Sequence, residues 1–182
     1  MRLDEKIFED MVGKMFLKYK CDPFTYTNSV SITLGLYIGD NVYELRNEQQ
    51  AVDYYGSNDD YAIWNIQLTS DENIKSAFVN IKQIVTPVNE TINSITLVEE
   101  NQKLKNHNRN LEYDIWLTRA IIFHTTSRDI CFEKDNTAFS EEIIITKGYA
   151  LRDNYPKSNE FFLTDWDEGI ETFVEQKIIE IK

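Results

Sequence analysis

From residue 3 to residue 20 the apolar residues Leu3, Ile7, Phe8, Met11, Val12, Met15 and Tyr19 recur at helical spacing, which predicts an N-terminal helix over 3–20. Asp4, Glu5, Glu9 and Asp10 lie towards its start and Lys14, Lys18 and Lys20 towards its end, as a helix dipole favours. Asp22-Pro23 closes it, because a residue before proline avoids the α region. The period then shortens to two. Residues 29–38 and 42–46 read as strands joined at Gly39-Asp40-Asn41. Residues 47–55 read as a short helix stopped by Gly56 in the polar loop 56–60, and 61–69 as a further strand. Ser70 or Asp71 is placed to cap a helix carrying Ile74, Ala77, Phe78, Ile81 and Val85, ended near Thr86-Pro87.

The second half repeats the strand pattern. Residues 94–104, 111–125 and 129–134 read as three antiparallel strands, with turns at 106–110 and 126–128. Leu97, Leu104 and Leu111 recur every seven residues, but Asn101 and Asn108 supply no apolar partners for a heptad seam, so the strand reading is preferred. A C-terminal helix is predicted from a cap at Thr164 or Asp165, with Glu168 completing a capping box and Trp166, Ile170, Phe173, Val174 and Ile181 towards the core. The expected fold class is therefore α+β: an antiparallel sheet of β hairpins with an N-terminal and a C-terminal helix. The expected organisation is one domain over 1–182, divisible into two hairpin-based lobes at about 1–90 and 91–182. The segments 42–46 and 130–134 are either a duplicated hairpin unit or two unrelated hairpins obeying one pattern.

Composition refines this. With 42% hydrophobic and 13% aromatic residues, the chain can bury a core without metal or disulfide support. Cys21 and Cys131 are isolated thiols, and no CxxC or Cys/His cluster points to zinc. No apolar run approaches the roughly 20 residues of a membrane span. The opening residues Met1-Arg2-Leu3-Asp4-Glu5-Lys6 carry acids where a signal peptide is apolar. A reduced, cytoplasmic protein is expected, with no cofactor, no metal and no membrane partner.

Charge changes the picture most. The net charge is −12, and residues 22–100 hold twelve acids against Arg46, Lys75 and Lys82. Six of the ten tyrosines fall between 26 and 61. Such a surface suits docking onto something basic, with Tyr54, Tyr55, Asp59, Asp60 and Tyr61 as contact candidates. It repels free DNA and RNA. Plain solubility is the competing account of the acidity. The turn bearing Lys103, Lys105, His107 and Arg109 reverses the local sign and is the candidate RNA contact. His107 and His124 are the candidate proton-transfer residues. Asp129, Glu133, Asp135, Glu141 and Glu142 would approach a divalent metal only if the second hairpin folded back on itself. Nucleophile motifs, a GxGxxG sequence and a phosphate loop are absent from the sequence.

Two motifs add a resemblance. Tyr54-Tyr55-Gly56 is followed by Asp59-Asp60-x-Ala62, and Phe132-Glu133-Lys134-Asp135 by Phe139-Ser140-Glu141-Glu142-Ile143-x-Ile145-x-Lys147-Gly148-Tyr149. Together they resemble small acidic proteins of Gram-positive mobile elements, and the chain looks like one of the type II-A anti-CRISPR proteins of streptococcal elements. The resemblance implies an inhibitor of the type II RNA-guided CRISPR nuclease, acting on the nuclease–guide RNA complex and associated with guide RNA shortening. It carries over no catalytic residue. It implies core positions at Phe132, Phe139 and Ile143, a turn at Gly148, and a helix start at Ser140-Glu141-Glu142.

Overall fold

In the computed structural model, residues 1–24, 27–54, 57–137, 139–156 and 169–182 are described, with the backbone alone at 53–54, 57–59 and 113. The elements are α1 (Glu5–Glu9), β1 (Met15–Cys21), β2 (Ser29–Ser31), β3 (Thr33–Ile38), β4 (Asn41–Tyr54), β5 (Ser57–Thr69), β6 (Ile84–Lys105), β7 (Leu111–Thr125), β8 (Asp129–Lys134), β9 (Glu142–Gly148) and β10 (Glu171–Ile181), with a 3-10 turn at Asp71–Asn73.

The strands pair in the order β2-β9-β8-β7-β6-β1-β3-β4-β5, with β10 added on β6, and every pairing is antiparallel. Strand β2 runs through Ile32 into β3, so the path from β2 to β3 returns to its own chain segment and the strands form a ring. The joint uses an unfavourable conformation: Ile32 has φ 62°, costly for a β-branched residue by about 1–3 kcal/mol. Its backbone is tied on both sides. The Ile32 N–H donates to the Glu141 carbonyl at 3.0 Å, and its carbonyl accepts from the Asn47 N–H at 2.8 Å.

One apolar cluster lies between the strands. Its centre is aromatic: Phe16 and Phe123 have ring centroids 5.1 Å apart, and Phe132 meets Phe123 at 5.8 Å and Tyr19 at 5.7 Å, both edge-on. Leu34, Leu36, Ile38, Leu97, Ile121 and Ile143 extend it. Each such side chain, fully buried, contributes about 1.5–3 kcal/mol. Strand β3 is buried along its whole length. Gly35 is the reason its second face can be covered, since a Cβ there would sit 2.9 Å from Ile74 Cγ2.

The α+β expectation is corrected: 62% of the described residues are strand and 5% helical. The N-terminal helix stops after Glu9 because the chain turns at Gly13, φ 80°, where the Gly13 N–H joins the Ile92 carbonyl at 2.9 Å. Beyond it Phe16, Tyr19 and Cys21 turn inward on a strand. The helix expected over 47–55 is the distal part of β4, held in register with β5 from Asn47↔Trp64 to Tyr54↔Ser57. Only one 3-10 turn forms where a helix was expected after Ser70. The C-terminal helix caps Thr164 and Asp165, with Trp166, lie outside the described residues. Residues 171–181 of that helix are strand β10, paired with β6 from Glu171↔Lys105 to Ile181↔Ile95. Ser140-Glu141-Glu142 leads into β9, not a helix, and Phe139 is exposed while Phe132 and Ile143 are buried. The strands over 111–125 and 129–134 form with those boundaries. Among the described residues no helix is long and apolar enough to cross a membrane.

Gly35→Ala should lower stability by about 1–3 kcal/mol through the contact with Ile74. In urea unfolding, the double variant Gly35→Ala with Ile74→Ala should lose less than the sum of the two single losses.

Candidate functional site

Strands β6, β7 and β8 place Thr96, His124 and Asp129 side by side. Thr96 and Asp129 belong to the two strands flanking β7, which brings both to the His124 ring. His124 Nδ1 lies 2.8 Å from Asp129 Oδ1, and Nε2 lies 2.8 Å from Thr96 Oγ1. A carboxylate only accepts, so Nδ1–H donates to Asp129, and a neutral ring then accepts the Thr96 hydroxyl at Nε2. Asp129 Oδ2 accepts the Leu151 N–H at 2.8 Å, which fixes the carboxylate as well. These groups line a cleft of about 320 Å³ together with Ser94, Arg152, Asp153, Glu180 and Lys182. Its rim charges neutralise one another. Arg152 is held by Asp153 at 2.9 Å and by Glu180, which also takes Lys182 at 2.8 Å. Thr96 is only 1% exposed, so its hydroxyl orients the ring more readily than it meets a substrate. His124 lines the cleft with both ring nitrogens bonded inside the protein, so Nε2 meets a group in the cleft only if the Thr96 hydroxyl turns away.

A second polar group of side chains is buried around Lys134. Its Nζ donates to Asn47 Oδ1 at 2.9 Å and to the Ala62 carbonyl, and stands 5.5 Å from the Tyr61 ring centroid. It forms no salt bridge among the described residues. Burial, and then the Arg119 guanidinium, bring its pKa down to about 7. Arg119 pairs with Glu133 at 3.5 Å and donates to the Asp135 carbonyl and Asn136. Glu133 also accepts from Tyr155 Oη at 2.9 Å, and burial raises its pKa despite the arginine. The lysine therefore acts as an internal tie between hairpin β4–β5 and the end of β8.

The structure separates the sequence candidates. His107 is exposed beside Gly169 in the β6–β7 turn, whereas His124 lies near the other end of β7, about 40 Å away along a strand of that length. The two rings do not form one acid–base pair. In the cationic turn, Lys103 is 3.7 Å from Asp114, Arg109 is 3.8 Å from Glu171, and Lys105 stands 5.0 Å over the Phe173 ring. That patch is largely neutralised from within. Tyr61, a contact candidate, is 3% exposed and its Oη reaches Gln102 Oε1 at 3.3 Å, so it is not a surface anchor in this conformation. Asp60 is exposed; Tyr55 and the side chains of Tyr54 and Asp59 lie outside the described residues. The acids considered for a metal have separate occupations. Asp129 serves His124, Glu133 serves Arg119, Asp135 receives Thr137, Glu141 receives the Gln49 N–H and Glu142 receives Ser29. Among the described residues no group of three or more such ligands is placed to hold a metal ion. What sequence reading missed is Lys134 and Arg119: charges inside apolar strands are the only sequence signal, and their neighbours come from distant segments.

No protein-family model, curated protein or solved structure matches this chain.

Lys134 carries a pH signature. Its unfolded value is near 10.5 and its folded value about 7, so below pH 7 both states are protonated and the burial cost is complete. As pH rises above 7 the unfolded state binds more protons and stability increases. Between about pH 7 and 8.5 the wild type should gain roughly 1–2 kcal/mol relative to Lys134→Met, read as the difference between urea unfolding curves. Equal slopes for the two proteins would exclude a neutralised lysine.

Proposed function

We propose that the chain is an acidic docking protein that binds the type II RNA-guided nuclease carrying its guide RNA and blocks DNA cleavage. The observation that supports this reading best is hairpin β4–β5. Strand β5 ends the strand path among the described residues, and residues 47–69 of the hairpin contain four acids and no lysine or arginine. An edge strand can pair through its backbone, and an acidic border steers it towards a basic channel. The identity of the partner comes from the sequence resemblance.

A second reading, guide RNA trimming by the chain itself, rests on His124, whose ring lines an open cleft. Both of its nitrogens are engaged within the protein at 2.8 Å, so it could exchange a proton with RNA only after the Thr96 hydroxyl released Nε2. His107 has no comparable support.

Mixing the chain with nuclease and guide RNA, then measuring DNA cleavage and guide length together, tests both readings. Cleavage should fall as the chain is added, and unchanged cleavage would sink the docking proposal. Asp59→Lys with Asp60→Lys should slow association and flatten its salt dependence. His124→Gln should leave inhibition by docking intact and abolish trimming if the chain performs it. Trimming that survives His124→Gln would assign the chemistry to the partner.

A further inference from the structure

After the 3-10 turn at Asp71–Asn73 the chain leaves the strands until β6 begins at Ile84. Within that interval Phe78, Val79 and Ile81 are 54%, 87% and 44% exposed. The loop is anchored at its base. The buried Asp22 carboxylate accepts the Ala77 N–H at 3.0 Å, and Ser76 Oγ accepts the Phe78 N–H at 3.0 Å. Val85, also exposed, continues the apolar surface at the start of β6. It lies opposite Lys20 on β1, and Pro87 lies opposite Lys18, so lysines share its face.

Charge at this loop runs against the rest of the region. Lys75 and Lys82 are exposed on either side of the tip, in no salt bridge among the described residues. They are two of the three bases between residues 22 and 100. The nearby acids are Asp22, which holds Ala77, Asp71, which is engaged by Lys20 and Tyr37, and Glu72. Large apolar side chains exposed together mark a surface that is covered in use. A basic protein would be repelled by the flanking lysines. Nucleic acid would satisfy them, but it offers stacking faces that suit Phe78 and not Val79 or Ile81. An anionic bilayer takes all three side chains at the acyl boundary and both lysines among its headgroups.

We propose that the segment 75–85 is a membrane-contacting loop that inserts Phe78, Val79 and Ile81 into an anionic lipid surface, with Lys75 and Lys82 on its headgroups. This goes beyond the docking reading, does not depend on it and departs from the sequence expectation of no membrane partner. Because the net charge of −12 opposes an anionic surface, the contact is confined to the loop and its two lysines. The test is co-sedimentation of the full chain with vesicles of phosphatidylcholine containing phosphatidylglycerol, against phosphatidylcholine alone, at about 0.1 M salt. Binding should require the anionic lipid, and Lys75→Glu with Lys82→Glu should weaken it about ten-fold or more. Val79→Asp should abolish binding with an unchanged circular dichroism spectrum. In Val79→Trp the indole emission should shift to the blue on mixing with anionic vesicles. Absence of vesicle binding, or an emission that does not move, overturns the proposal. So does binding to an oligouridylate that Phe78→Ala removes while vesicle binding is absent, which would make the loop a single-strand nucleic-acid surface.

Discussion

The structure depends on pairing the backbone of β6. A strand of 22 residues carries far more N–H and C=O groups than one neighbour of ordinary length can satisfy. Strand β1 takes residues 84–91, while β7 takes the part from Ile92 to Lys105 and β10 the part from Ile95 to Lys105. Each partner comes from a different region of the chain, so β6 draws the N-terminal segment, the central hairpin and the C-terminal strand into one network. The register slips at Ile92/Ser94, Val98/Glu99 and Leu104/Lys105 let so long a strand bend and still stay paired. The aromatic cluster of Phe16, Tyr19, Phe123 and Phe132 is assembled from β1, β7 and β8, strands that this pairing brings together.

The acidity of the chain is divided between its surface and its interior. Among the described residues six acids and two bases are buried, so four of the twelve excess negative charges do not face solvent. Glu90 shows how such a charge is accommodated. It accepts Arg128 at 2.7 Å, Thr125 at 2.5 Å and the Ser127 N–H at 3.1 Å, and these partners hold its pKa at about 2 despite burial. Lys134 is the opposite case: among the described residues only neutral acceptors meet its ammonium, and burial, with Arg119 nearby, lowers its proton affinity. The field at the surface is therefore weaker than the formal charge implies.

Within that field the His124 cleft is a neutral enclave. Its ring is held from both sides, and its rim pairs Arg152 and Lys182 with Asp153 and Glu180. A phosphate would gain little there from charge, because each cation already has its carboxylate. The apolar loop at 75–85 also departs from the acidic surface, and there Lys75 and Lys82 are in no salt bridge among the described residues. The β4–β5 hairpin, the His124 cleft and the apolar loop thus fall on three separate parts of the molecule.

By itself the sequence determined strands bounded by clear turns. Residues 111–125 and 129–134 form as read, because the short apolar runs Ile121-Ile122-Phe123 and Ile130-Cys131-Phe132 stand on either side of the polar turn Thr126-Ser127-Arg128. Ile130 and Phe132 flank Cys131 in the apolar run that buries its thiol, whereas Cys21 lies between Lys20 and Asp22 and is buried only by the fold. Helices were misread wherever a helical spacing of apolar residues coincided with a partner strand waiting elsewhere. The backbones of residues 47–54 and 171–181 are satisfied across the sheet by β5 and β6, which leaves no helix to form there. His124 stood out as a lone imidazole, but Thr96 and Asp129 became its partners only through strand register. Lys134, Asn47 and Ala62 are far apart in the chain, and their contact exists only once β4–β5 closes on the end of β8. Local pattern decides where a strand can form; only the tertiary pairing decides which backbone completes it, because the hydrogen bonds lie between segments that no window of sequence contains together.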